Sequence, residues 1–157
     1  MKRNRKRKRN DMRLIRLWTY PQAHKALPYL HSITGSLREH WLEAQDKRME
    51  VNRLHREPGR ADRNRLLAEE LATEEKSKAE ERFAEDLQEL LGMDVFLLDP
   101  VQGVAFIPFQ KDTELAWFVY DHFGNDLKSW RFHQDPLETR RPIQEVVPDP
   151  AVNPALN

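Results

Sequence analysis

A chain of 157 residues is long enough for one domain with a hydrophobic core and short for a second of ordinary size. Charged residues make up 33% and apolar residues 39%, which suits a soluble, helix-rich protein with a modest core. The longest apolar run, Leu115 to Tyr120, falls far below the roughly 20 residues of a membrane span, and the absence of cysteine excludes disulfides, zinc–thiolate centres and thiol catalysis.

A cysteine-free chain fits a reducing cytoplasm, and a cytoplasmic protein with no membrane association and no cofactor is expected. The net charge of zero hides an asymmetry. Lys2, Arg3, Arg5, Lys6, Arg7, Lys8 and Arg9 crowd the start without an acid, and the remaining chain is acidic. Residues 1–13 are expected to be a disordered basic tail, since like charges repel and nothing there can be buried. No apolar run follows them, so a secretory signal is not expected.

Thr19-Tyr-Pro-Gln22 reads as a helix start, with Thr19 as N-cap, Pro21 in the first turn and Gln22 completing a capping box. Ala23, Leu27, Leu30, Ile33, Leu37, Trp41 and Ala44 then recur at helical spacing, with a kink expected at Pro28. Pro58-Gly59 ends this helix. A second runs from about Ala61 to Leu91, marked by Leu67, Leu71, Ala79, Phe83, Leu87, Leu90 and Leu91, with Gly92 expected as its C′ residue. Two such helices joined by a short loop form an antiparallel, coiled-coil-like hairpin over residues 20–92. Each is about 45 Å long, and the end beside the loop is solvated and thinly packed.

The period then changes. Val95–Leu98, Gly103–Ile107, Glu114–Tyr120 and Ser129–His133 read as four strands of an antiparallel meander over residues 94–134. The third is apolar on both faces: Ala116, Phe118 and Tyr120 on one, Trp117 and Val119 on the other. Loops, the helices or a second subunit must cover the face the hairpin does not reach, which makes homodimerisation a sensible expectation. Residues 142–157, with Pro142, Pro148, Pro150 and Pro154, read as a disordered Pro-rich tail beyond a single domain of residues 14–141. The fold class is therefore α+β, a long antiparallel helical hairpin on a small four-stranded antiparallel sheet.

Thr19-Tyr-Pro-Gln-Ala23 with Leu27-Pro28-Tyr-Leu30, then Gly103-Val-Ala-Phe-Ile-Pro108, then Trp130-Arg-Phe-His133 through Arg140-Arg-Pro-Ile143, occur in an order that resembles the bacterial proteins catalogued as domain of unknown function 2203. That family opens Phe-Thr-x-x-Glu-Ala-Asn-x-x-Leu-Pro before a helical hairpin, continues with Gly-Leu-Val-Asp-Phe-Pro and closes on Trp-His…Arg-x-Pro. This chain departs from it at His24, at Phe106 in place of the Asp, and at Tyr120-Asp-His-Phe-Gly-Asn125, which lacks the Glu of the family's Trp-x-x-Gly-Glu loop. The family is uncharacterised, so the resemblance implies a fold and no activity.

Three groups of residues carry candidate chemistry. Asp121, His122, His133 and Asp135 stand at strand ends and, gathered around one turn, would suit a metal or general acid–base work; the plainer reading is that they cap backbone groups or face solvent. Arg131, Arg140 and Arg141 suit an oxyanion clamp, against a plainer reading of pairing with Asp135, Glu138 or helix acids. The basic tail could neutralise nucleic-acid phosphates nonspecifically, though no aromatic residue is interleaved with it. No phosphate loop, nucleophile elbow or dinucleotide fingerprint is present. The leading expectation is a non-enzymatic interaction or scaffold protein that self-associates. A nucleic-acid- or ribosome-associated protein and a small metal-dependent enzyme are the alternatives.

Overall fold

A computed structural model describes residues 14–148; the basic segment that contains Lys2 to Arg9 and residues 149–157 lie outside it. Helix α1 spans Tyr20–Lys25 and opens on the expected capping box. The Thr19 hydroxyl accepts from Gln22 N at 3.3 Å, and Thr19 N donates to Gln22 Oε1 at 3.1 Å. Pro28 breaks the helix more fully than a kink. The chain turns at Ala26, and α2 begins afresh as Leu27–Arg56 with the proline in its first turn, where its missing N–H costs nothing.

Asp62 caps α3, Arg63–Gly92, by accepting from Arg65 N at 2.8 Å. The helix ends later than the sequence suggests. Gly92 is its last residue, and the left-handed conformation expected there falls at Asp94, φ 59°. Its carboxylate accepts from Arg16 N at 2.9 Å, which offsets the strain of a non-glycine residue in this region.

The contacts Tyr29–Glu89, Ser36–Asp86, Lys47–Glu75 and His55–Glu69 pair rising numbers on α2 with falling numbers on α3, so the helices are antiparallel. Where the hairpin leaves the sheet the buried apolar residues are Ala44, Leu54, Ala72 and Ala79, three of the four being alanine.

The sheet has five strands, not four. They run β1 Phe96–Asp99, β2 Val104–Lys111, β3 Glu114–Asp121, β4 Asp126–Phe132 and β5 Arg141–Pro142, in sequential antiparallel order. The fifth strand comes from the start of the segment read as a tail. Trp130 pairs with Arg141, its indole N–H donates to Pro142 O at 3.1 Å, and Ile143 is buried in the core. Proline content suggested an extended end, but β5 is an edge strand, where a proline without an N–H is tolerated.

The faces of β3 separate as the alternation predicts. Ala116, Phe118 and Tyr120 join Ala105, Ile107, Phe109, Leu127 and Trp130 against Ala23, Leu30, Ile33, Leu37 and Leu90 of the helices. On the other face Phe106, Trp117 and Val119 form a second cluster with Ile15, Phe96, Val104 and Leu115. Trp117 is only 9% exposed there. The cover comes from within the chain: the segment around Ile15, whose neighbour Trp18 bridges to Phe109, and the side chains of Arg131 and Arg140 lying over Phe106.

The β1–β2 turn depends on Gly103. Its φ is 67°, and a Cβ there would stand 2.4 Å from Cβ of His122. Gly103→Ala combines a left-handed alanine with an overpacked contact and is expected to cost about 2 kcal/mol or more. Equilibrium urea unfolding checks it, and a midpoint equal to that of the unmutated chain would show that the turn is not held this way.

Candidate functional site

Strand pairing decides the fate of the His/Asp group. Asp121 pairs with Asp126 at one end of the β3–β4 hairpin, and Ala116 pairs with Phe132 at the other. Asp121 and His122 therefore lie at one end and His133 and Asp135 at the opposite end, roughly 17 Å away at about 3.3 Å per residue. The four side chains do not converge, because consecutive antiparallel strands finish at opposite edges. Among the described residues, no three His, Asp or Glu side chains are grouped to hold a metal ion.

Each half of that group is occupied locally. At one end His122 is clasped by α2. Its ring stacks on His31 with centroids 4.4 Å apart, and its Nδ1 lies 2.9 Å from the Thr34 hydroxyl. That hydroxyl spends its single proton on Leu30 O at 2.6 Å, so it accepts from His122 Nδ1–H and fixes the tautomer. Gly35 and Gly103 leave the space the ring fills, since a Cβ on Gly35 would meet His122 Cε1 at 3.0 Å. Arg38 completes the clasp, donating to Val101 O at 3.0 Å and lying over Phe123. Burial, His31 and Arg38 together hold the His122 pKa below its ordinary value.

At the other end Asp135 takes a two-point grip from Arg141, Nε at 2.8 Å and NH2 at 3.0 Å, and accepts from Phe132 N at 2.9 Å. The Arg141 fork, more than any other cause, pulls the Asp135 carboxyl down to about 2. Of the three candidate arginines, Arg141 thus has the ion pair that the plainer reading anticipates. Arg131 and Arg140 do not. Arg131, 4% exposed, donates to the backbone oxygens of His133 and Asp135, and its Nε has no partner among the described residues. Arg140 donates to Leu137 O at 2.6 Å and Thr139 O at 2.8 Å. The two guanidiniums flank one ring, 5.2 and 5.9 Å from the centroid of Phe106. Beside them the Trp117 indole N–H donates to His133 Nδ1 at 3.1 Å.

Sequence reading missed a third polar cluster, between the helices. Ser36 Oγ lies 2.6 Å from Asp86 Oδ2 and 3.2 Å from His40 Nε2, and His40 Nε2 is 3.5 Å from the same carboxylate oxygen. The composition is that of a serine triad, but the protons run the wrong way. Asp86 takes the Ser36 proton directly and shares the nitrogen that faces the serine, while His40 Nδ1 is buried without a partner among the described residues. The imidazole therefore cannot act as base for this hydroxyl, and the cluster fixes helix register instead. Its signal was available, because Ser36 and His40 are one helical turn apart on the α2 face that carries Leu37 and Ala44. The partner Asp86 was not, since nothing marks it among the fourteen charged residues of α3.

The family described as Uncharacterized conserved protein (DUF2203) has a model that matches residues 16–143, and the chain belongs to this family. The matched span reaches Ile143, the residue that anchors the fifth strand in the core. No curated protein and no solved structure matches the chain.

A lowered His122 pKa sets a sign. The unfolded chain takes up the proton more readily than the folded one, so the stability linked to neutral His122 is complete above about pH 6.5 and is lost as pH falls through the folded value. The melting temperature is expected to fall between pH 7.5 and pH 5, and by less in His122→Gln. Equal falls in the two proteins, measured by circular dichroism, would remove His122 from this role.

Proposed function

We propose that this chain is a non-enzymatic interaction protein that pairs with a second copy of itself through the outer half of its helical hairpin. The observation that carries the reading is an unpartnered apolar stripe on α2: Leu42 and Met49 lie two turns apart on the side away from Leu37 and Ala44, and Met49 is 64% exposed. The apolar clusters on the two faces of the sheet are covered within the chain, and Leu98 is the one large apolar strand residue exposed among the described residues.

Charge along the same side of α2 suggests how the copies meet. Glu39 and Asp46 stand toward its start, and Arg53 and Arg56 toward its end. An antiparallel second copy, with its two-fold axis passing between residues 47 and 48, sets Arg56 against Glu39 and gathers Leu42 and Met49 of both copies into one seam. Such a seam buries less than the roughly 1,200–2,000 Å² of a standard stable interface, so the pairing is reversible and concentration-dependent.

Sedimentation velocity tests this. The mass is expected to rise from one chain to two with concentration, and Met49→Asp to weaken pairing at least about tenfold with unchanged far-UV circular dichroism. Arg56→Glu weakens it as well, and adding Glu39→Arg restores it. A single-chain mass at the highest soluble concentration, or a Met49→Asp protein that pairs like the unmutated one, would remove the reading.

The uneven charge of the sequence carries a second reading, in which Lys2 to Arg9 contact nucleic-acid phosphates without sequence preference. RNA affinity is then expected to fall steeply with salt, with a log–log slope no steeper than about −6 for seven bases, and to vanish on removal of residues 1–12. Salt-dependent binding that survives the truncation would assign it elsewhere.

A further inference from the structure

We propose that the outer face of the sheet holds an oxyanion site, in which the free edge of Arg140 receives a carboxylate or phosphate group in the positive field of Arg131. It does not depend on self-association.

Arg131, Arg140 and Arg141 cluster around the turn that follows β4, and Asp135 is the one carboxylate among the described residues that bonds any of them. Arg141 takes both of its oxygens. Among the described residues the other two cations are hydrogen-bonded by backbone carbonyls, which supply partial charge, and neither has an ion pair; Asp135 and Glu138 act on them only through space. Arg131 is almost wholly buried, and its Nε finds no acceptor among the described residues. A buried cation in this state is costly on its own.

Arg140 does not relieve it. It lies against the same Phe106 ring, and burial and the charge of Arg131 lower its pKa by more than nearby Glu138 raises it. Its own bonding is one-sided. NH1 serves the carbonyls of Leu137 and Thr139, which hold the guanidinium plane in place, while Nε–H and NH2 have no acceptor among the described residues. That Nε/NH2 edge is the one that grips a carboxylate or phosphate with two parallel hydrogen bonds, as Arg141 grips Asp135 a few residues away. A bound oxyanion would give Arg140 its missing acceptors and lower the repulsion from Arg131 in one step.

The test follows the full-length chain in sodium phosphate or sodium acetate against sodium chloride at matched ionic strength. Either oxyanion, at a concentration where chloride does nothing, is expected to raise the melting temperature along a saturating curve. Which of the two does so separates a phosphate site from a carboxylate site. Arg140→Gln, on the exposed rim, is expected to bind at least about tenfold more weakly, and the control Lys128→Gln to respond like the unmutated chain. Should Arg140→Gln fold poorly, the Arg140 Nε–H resonance of the unmutated chain is to shift along the same saturation curve. The proposal is overturned if phosphate and acetate act no differently from chloride, if Arg140→Gln keeps the full response, or if that resonance stays still while another part of the chain responds.

Discussion

Strand β3 has large apolar side chains on both of its faces, and a sheet strand of this kind must be buried twice. The helical hairpin can meet that demand once. Its base buries Phe118 and Tyr120 together with Phe109 and Trp130. The second burial falls to pieces of chain that lie far apart in sequence: Ile15 near the start, Arg131 within β4 and Arg140 beyond it. Each large side chain removed from water on that face contributes about 1.5–3 kcal/mol, so Phe106, Trp117 and Val119 together can offset the several kcal/mol of desolvating a guanidinium. The long stems of the arginines make them suitable covers, since the methylene groups lie on the rings while the charges reach polar atoms.

The same demand explains which parts of the fold the sequence discloses. The capping box at Thr19 and the alternation of β3 are each written in a few adjacent residues, and each is found where those residues stand. Segments whose structure is imposed from a distance were harder to read. Pro142 looks like the start of a tail because its local chemistry is that of a tail; it belongs to the sheet because Trp130 offers it an indole N–H and Ile143 finds an apolar pocket. Gly92 looks like the left-handed residue, yet Asp94 takes that conformation since the carboxylate can be held by Arg16 N. In both places a long-range partner overrules a sound local preference.

Candidate chemistry follows the same division. Histidines and aspartates at strand ends invite the idea of one convergent site, but the strands that carry them are hairpin neighbours, and their ends point opposite ways. Residue type was informative and proximity in sequence was not. His122 illustrates the difference. Its partners, His31, Thr34 and Gly35, all come from α2, and only the docking of the turn after β3 onto that helix reveals that two glycines are reserved for the ring.

The arginines raise a sharper question, because cover and charge are supplied by the same side chains. A leucine or methionine at position 131 would shield Trp117 and Phe106 without any desolvation cost, so the cover alone does not account for a cation there. Nor does ion pairing, since among the described residues the one bonded carboxylate is engaged by Arg141, which leaves Arg131 with carbonyl oxygens and an Nε without a partner. A second guanidinium over the same ring adds repulsion to that cost. Structural reasoning accounts for the stems of Arg131 and Arg140 and leaves their charges without a purpose. The oxyanion site proposed above would supply one, at the edge of Arg140 that has no acceptor among the described residues.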